Sequence, residues 1–167
     1  GGLGVRYRDE ETIDPYAYAL AVRQALGSRR QELVFEPGRF LVGAAGVLLT
    51  RVIYLKPGAG HDFAIVDAAM NDLLRPALYD AWHAVEPVRR REGQARRWQI
   101  VGPGCESGDF LARDRLLALA EGDLLAVRAA GAYGFVMSSN YNSRPRACEV
   151  IVDGDRAHLS RPRERVT

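Results

Sequence analysis

The hydrophobic period of the chain changes near Lys56, and that change confines the fold to an α/β segment followed by a mostly β one. Before it, "DPYAYALAVRQALG" carries the marks of a helix: Asp14 as cap, Pro15 in the first turn and Gly27 as stop. Tyr18, Val22 and Leu26 recur at four-residue spacing and give that helix an apolar stripe. "ELVFEPGR" reads as a short buried-type strand ending in a Pro-Gly turn. "FLVGAAGVLLTRVIYL" begins as helix and passes into a strand around "TRVIYL". Gly-rich loop, helix, strand, loop, helix is about one and a half units of a parallel α/β fold.

Beyond Lys56, "FAIVDA", "RRWQIV" and "GDLLAV" read as strands bounded by Gly and Pro. "EVIVDGDRAHLSR" reads as a hairpin with Gly154-Asp155 at its turn. "FLARDRLLALAEGD" fits helical periodicity better than alternation, so a helix is expected there.

Charge excludes several function classes. With 23 basic and 21 acidic residues among 167, nothing global points to nucleic acid or an anionic membrane. The arginines from Arg89 to Arg97 lack an accompanying aromatic stripe and read as a solvated loop. Two cysteines, Cys105 and Cys148, are too few for a disulfide framework or a zinc site. His61, His83 and His158 lie far apart without metal-ligand spacing, so no metal is expected. No apolar run reaches membrane-spanning length and no secretory leader is recognisable. A soluble cytoplasmic fragment is the expectation.

The stretches that can carry chemistry are loops. "GGLG", Gly1 to Gly4, precedes a helix, and "EPGR" ends the following strand. Glycine-rich turns at such positions let backbone N–H groups approach a phosphate. Glu36 and Arg39 stand at that strand's C-terminal end, where barrel sites lie. Arg75 and Tyr79 are four apart in "RPALYDAW", so a helical turn places them on one face. Tyr133 precedes a polar run, Ser138, Ser139, Asn140 and Asn142, that needs backbone or ligand partners. In "GPGCESGDF" a thiol, Cys105, stands beside a carboxylate, Glu106, between glycines. Cys148 has no such context and reads as a buried small residue.

Taken together, "VGPGCESGDFLARDR" and "GDLLAVRAAGAYGFVMSSNYNSRPRACEVIVDG" resemble diaminopimelate decarboxylases, a pyridoxal-phosphate family of lysine biosynthesis. "GGLG", "EPGR" and "RPALYDAWH" are similar to that family's earlier motifs, in the same order. The Cys-Glu-Ser-Gly-Asp and Ser-Ser-Asn-Tyr-Asn blocks are specific, whereas the glycine loop and "EPGR" are shared with ornithine and arginine decarboxylases.

The resemblance implies the end of a (β/α)8 alanine-racemase-like barrel over residues 1–48, then a β-rich C-terminal domain over residues 49–167, in a homodimer. It implies pyridoxal 5'-phosphate held by Gly2, Gly4, Glu36, Pro37, Gly38, Arg39 and Tyr133. Glu36 matches the carboxylate that keeps the pyridine nitrogen protonated. The implied substrate, meso-2,6-diaminopimelate, carries two ammonium and two carboxylate groups. Arg39 and Arg75 suit its carboxylates, Tyr79 adds a hydroxyl, Tyr133 lies alongside, and Glu106 suits the distal ammonium. Cys105 matches the proton donor to the carbon that loses CO2, since an ordinary thiol titrates near pH ~8.5 and carries its proton at neutral pH. In the family Cys105 and Glu106 enter the site from the partner subunit.

This chain also departs from the pattern. The cofactor-linking lysine and the histidine that stacks on the cofactor ring have no counterpart here. Lys56, the single lysine, lies outside any matching motif. The chain alone is therefore expected not to decarboxylate and to fold poorly, with the apolar edge of "ELVFEP" uncovered. The alternatives are a related ornithine, arginine or carboxynorspermidine decarboxylase, and a non-catalytic binding or dimerisation module.

Overall fold

Short runs of alternating apolar residues build most of the fold, as seen in a computed structural model that describes residues 2–165. Gly1, the first glycine of "GGLG", lies outside the described residues. The helix expected near the start is α1, Pro15–Leu26. Asp14 accepts a hydrogen bond from the Tyr16 N–H, and Gly27 ends the helix with φ 59°. Tyr18, Val22 and Leu26 are the half-covered residues of an otherwise exposed helix. A second, five-residue helix, α2 (Gly38–Val42), follows. Between them "ELVFEP" is irregular, contrary to the expected strand. A strand needs a neighbour to satisfy its backbone groups, and no described segment pairs with this one.

From Leu48 the chain is mainly β. Strands β1 (Leu48–Lys56), β2 (Asp62–Val66), β3 (Val85–Pro87), β4 (Arg96–Val101), β5 (Phe110–Leu117) and β6 (Leu124–Val127) form one sheet in the order β3-β6-β1-β2-β4-β5. Pairing is antiparallel except for β2 beside β4, which are parallel. The edge strands β3 and β5 approach each other, so the sheet curls into a nearly closed barrel. Helix α3 (Arg75–Tyr79) packs beside β5.

Alternation decides which side chains fill the interior. Leu125 and Val127 of β6 point inward and are fully buried. In β1, Thr50 and Val52 point inward, and then a bulge between Val52 and Tyr54 reverses the parity, so Leu55 rather than Tyr54 turns toward the core. Trp98, Ile100, Leu111, Leu73 and Val66 complete the interior. Thr50 satisfies its buried hydroxyl by donating to Asp67 at 2.7 Å and accepting from the Ala68 N–H at 3.0 Å.

Residues 110–117 are strand β5 and not the expected helix. The cause is a bulge opposite Gln99, around which Trp98 pairs with Arg115 and Ile100 with Ala112. Asp114 takes φ 55° there and accepts from the Gln99 side chain at 2.7 Å. The extra residue sets Ala112, opposite Ile100, and Arg115, opposite Trp98, three apart, which imitates a helix.

The expected hairpin forms as β7 (Glu149–Asp153) and β8 (Arg156–Arg161), a separate two-stranded sheet. Gly154 supplies the positive φ of 59° that its two-residue turn requires. Cys148, just before β7, is exposed and not buried, because this hairpin lies off the main sheet.

Candidate active site

The Gly102–Asp109 loop is shaped by one buried carboxylate. Asp109 accepts from the Met70 N–H at 2.6 Å through one oxygen and from the Gly104 N–H at 3.0 Å through the other. Its own carbonyl accepts from the Gly102 N–H at 3.0 Å. A Cβ on Gly102 would lie 2.2 Å from this carboxylate, so glycine is the residue that fits. The loop presents Cys105, a free and exposed thiol, together with Glu106.

Both oxygens of Glu106 are held. Oε1 accepts from the Gly108 N–H at 2.9 Å, and Oε2 accepts from the Tyr141 hydroxyl at 2.7 Å. These bonds, the Gly108 one first, hold its carboxyl below the usual carboxylate range. Tyr141 stands on a short 3-10 turn, Tyr141–Ser143, whose Asn142 and Ser143 have φ of 56°. That turn is tied to the loop before α3. Arg144 donates to Asn71 at 3.0 Å and also to the Asp67 carbonyl, and Asn71 donates to the Ser139 carbonyl at 3.1 Å. Of the polar run after Tyr133, Ser138, Ser139 and Asn140 find side-chain partners within the protein.

Arg75 is buried, with 9% exposure, while Tyr79 at the other end of α3 is 64% exposed. The two do not share an environment as their spacing suggests. The Arg75 guanidinium lies over the Tyr7 ring at 4.7 Å and donates to His83 Nε2 at 3.1 Å. Since guanidinium can only donate, His83 Nε2 is the acceptor and Nδ1–H donates to the Arg128 carbonyl at 2.9 Å. His83 is therefore neutral. Burial depresses its basicity first, and the nearby Arg75 and Arg115 cations act in the same direction.

The two glycine loops lie side by side, since Leu3 and Pro37 line one apolar cleft of about 280 Å³ with Tyr18, Phe35 and Phe40. A Cβ built on Gly2, Gly4 or Gly38 would meet nothing within 4 Å, so these backbones border open space. Glu36 is exposed, and among the described residues Arg39 Nε is buried without a hydrogen-bond partner. Glycine backbones for a phosphate and a free carboxylate for a protonated ring nitrogen are a donor set that suits pyridoxal phosphate. Tyr133 is 43% exposed in a left-handed conformation, φ 65°, on a turn where Gly46 and Gly131 bring two backbones into contact.

Two groups of candidate residues result. Pro37 lines the apolar cleft with Leu3, which brings the two loops that carry Gly2, Gly4 and Glu36–Arg39 together, and Tyr7 continues that same N-terminal stretch to Arg75. Cys105 and Glu106 sit apart on their own loop, and no hydrogen bond among the described residues joins them to the cleft. Tyr141, His83 and Tyr7 were not singled out from the sequence. The polar run around Asn140 was the one signal pointing to Tyr141.

Residues 16–131 match the family described as pyridoxal-dependent decarboxylase, C-terminal sheet domain. The chain belongs to this family. It is 66% identical to a diaminopimelate decarboxylase of Pseudomonas aeruginosa over 99% of its own length and 40% of that protein's. Identity to the Vibrio cholerae diaminopimelate decarboxylase is 56%, over 100% and 40% of the two chains. The crystal structure of the Helicobacter pylori diaminopimelate decarboxylase with L-lysine superposes with a TM-score of 0.92 at 42% identity, covering 98% of this chain and 41% of that one. The chain thus spans about 40% of the length of the decarboxylases that it matches. A lysine/ornithine decarboxylase from Vibrio vulnificus shares the fold, at a TM-score of 0.75 and 24% identity over 87% of this chain and 40% of that one. Among the described residues, no group of three or more His, Cys, Asp or Glu could hold a metal, and no helix is long and apolar enough to cross a membrane.

Proposed function

We propose that this chain is the C-terminal part of a diaminopimelate decarboxylase, which converts meso-2,6-diaminopimelate to L-lysine and CO2. Residues 1–48 are the end of the cofactor-carrying barrel in this reading, and residues 49–167 are the β domain. The observation that carries it is the Cys105-Glu106 loop, which offers an exposed thiol beside an ionised carboxylate fixed at both oxygens.

In the complete enzyme, the backbones of Gly2, Gly4 and Gly38, with Pro37 beside them, would hold the cofactor phosphate, Glu36 would meet the ring nitrogen and Tyr133 would lie beside the ring. Bound pyridoxal phosphate supplies the electron sink that lets the Cα–carboxylate bond break. Arg39 and Arg75 pair with substrate carboxylates, Tyr79 adds a hydroxyl, and Glu106 receives the distal ammonium. CO2 departs with loss of the C–C bond, and its electron pair stays on the α-carbon. The Cys105 S–H then delivers a proton there, and the thiolate recovers one from solvent. The separation of the Cys105-Glu106 loop from the glycine cleft supports a homodimer in which each loop completes the partner subunit's site.

The test is CO2 release by the complete protein with diaminopimelate, L-ornithine, L-arginine and L-lysine, with and without Glu106→Ala. Wild-type turnover of diaminopimelate alone, lost on Glu106→Ala, is the expected result. Equal turnover of ornithine would favour the polyamine-type alternative, and no turnover of any substrate would favour a binding module.

A further inference from the structure

Glu106 can discriminate a substrate ammonium only if its carboxylate stays ionised and keeps one orientation. A glutamate on a glycine-rich loop has three free torsions and holds neither condition by itself. Here the inner oxygen is fixed by the loop's own Gly108 N–H, at 2.9 Å, and this bond closes only a two-residue ring. The outer oxygen is fixed by a residue 35 positions away, Tyr141, whose hydroxyl donates at 2.7 Å. The two bonds approach from different parts of the chain, so together they define the plane of the carboxylate.

The backbone that carries Tyr141 is itself held in place. Its N–H donates to the Ser139 hydroxyl at 3.3 Å, and Asn142 follows in a left-handed conformation. Asn140 donates to the Arg144 carbonyl at 3.1 Å and to Glu164 at 2.6 Å, and the Arg144 guanidinium anchors the turn to Asn71. A Cβ on Gly104 would lie 3.2 Å from the Asn142 amide, so the turn and the Cys105 loop are in direct apposition. Phenylalanine at position 141 would pack the same ring without making this bond, and a turn serving only as a fold support needs no hydroxyl aimed at Glu106.

We propose that Tyr141 is the positioning residue for Glu106, selecting substrates with a distal ammonium by orienting the carboxylate that reads it. The proposal rests on the substrate role of Glu106 given above. Tyr141 touches neither the reacting carbon nor the cofactor in this reading and acts through Glu106. The bond also helps to keep the Glu106 carboxyl acidic, after the larger effect of Gly108.

The experiment uses the complete enzyme with diaminopimelate and four versions: wild type, Tyr141→Phe, Glu106→Gln and the double variant. For Tyr141→Phe, KM rises roughly 3–10-fold with kcat little changed, as for the loss of a partly exposed charge-assisted hydrogen bond. The acid limb of kcat/KM moves to higher pH, because the carboxyl loses a donor that favours its ionised form. In the Glu106→Gln background Tyr141→Phe adds nearly nothing, which a general packing defect would not reproduce. An unchanged KM and acid limb in Tyr141→Phe, while Glu106→Gln is impaired, overturns the proposal and leaves the substrate reading intact. An equal penalty in both backgrounds also overturns it. Full activity of Glu106→Gln defeats the substrate reading, and the proposal with it.

Discussion

Asp109 shows how a few atoms fix the Gly102–Asp109 loop. Its carboxylate binds the Met70 and Gly104 N–H groups and occupies the space that a Gly102 side chain would need. Gly102→Ala should therefore displace the carboxylate and destabilise the protein by about 1–3 kcal/mol, through buried acceptors left unpaired. Thermal melts of the complete protein check this, with a loss of turnover larger than the loss of folded protein. The thiol-carboxylate pair was legible in the sequence because "CES" stands between glycines. Its distant donor was not, because Tyr141 reaches Glu106 only after the chain folds back over 35 positions, while Gly108 donates from within the loop itself. Arg75 was legible as a cation but not as a buried one, since its cover comes from Tyr7 and His83. His83 carries a pH prediction of its own. Its basicity is depressed in the folded state, so below its ordinary value of 6.5 the unfolded chain binds a proton that the folded chain refuses. This group therefore favours unfolding as pH falls through that value, and protonation also breaks the acceptor bond to Arg75. Urea unfolding from about pH 7.5 to about pH 5.5 should show a stability loss that His83→Gln reduces.

Elements were legible wherever one period held along their whole length. The α1 stripe of Tyr18, Val22 and Leu26 is the covered face that its spacing predicts, and the Gly154 turn closes the expected hairpin. Strand β5 was misread because its bulge at Asp114 breaks the two-residue alternation, and β3 escaped notice because three residues are too short to show a period. "ELVFEP" has a strand's composition without a partner among the described residues, and pairing, not composition, makes a strand. Contact between elements carries its own prediction. Gly131 meets the Val42 carbonyl so closely that a Cβ would lie 1.9 Å from it, on the side where Gly46 also packs. Gly131→Ala should cost more than about 3 kcal/mol or prevent folding, since rigid backbone has to move. Gly122→Ala, strained by its φ of 87° but with open space around it, should cost about 1 kcal/mol. Equal melting temperatures for the two variants would contradict this ordering.

The whole molecule leaves large apolar surfaces uncovered. Val34, Val150, Ile151, Val152 and Leu159 are each more than half exposed, and the chain spans about 40% of the decarboxylases it matches. Residues 1–167 alone should associate and scatter light, whereas the complete protein should be a defined dimer. A monomeric fragment with a cooperative melt would contradict this expectation. Covering these faces and completing the site are two aspects of one claim, that glycine cleft and Cys105 loop work together across two subunits. Mixing two inactive variants of the complete enzyme, Glu36→Ala and Cys105→Ala, tests that claim most directly. If sites are shared, re-formed mixed dimers hold one intact site and one doubly defective site, and activity returns to about a quarter of wild type. If activity stays at the level of the separate variants although mixed dimers have formed, each site is built within one chain and the account fails.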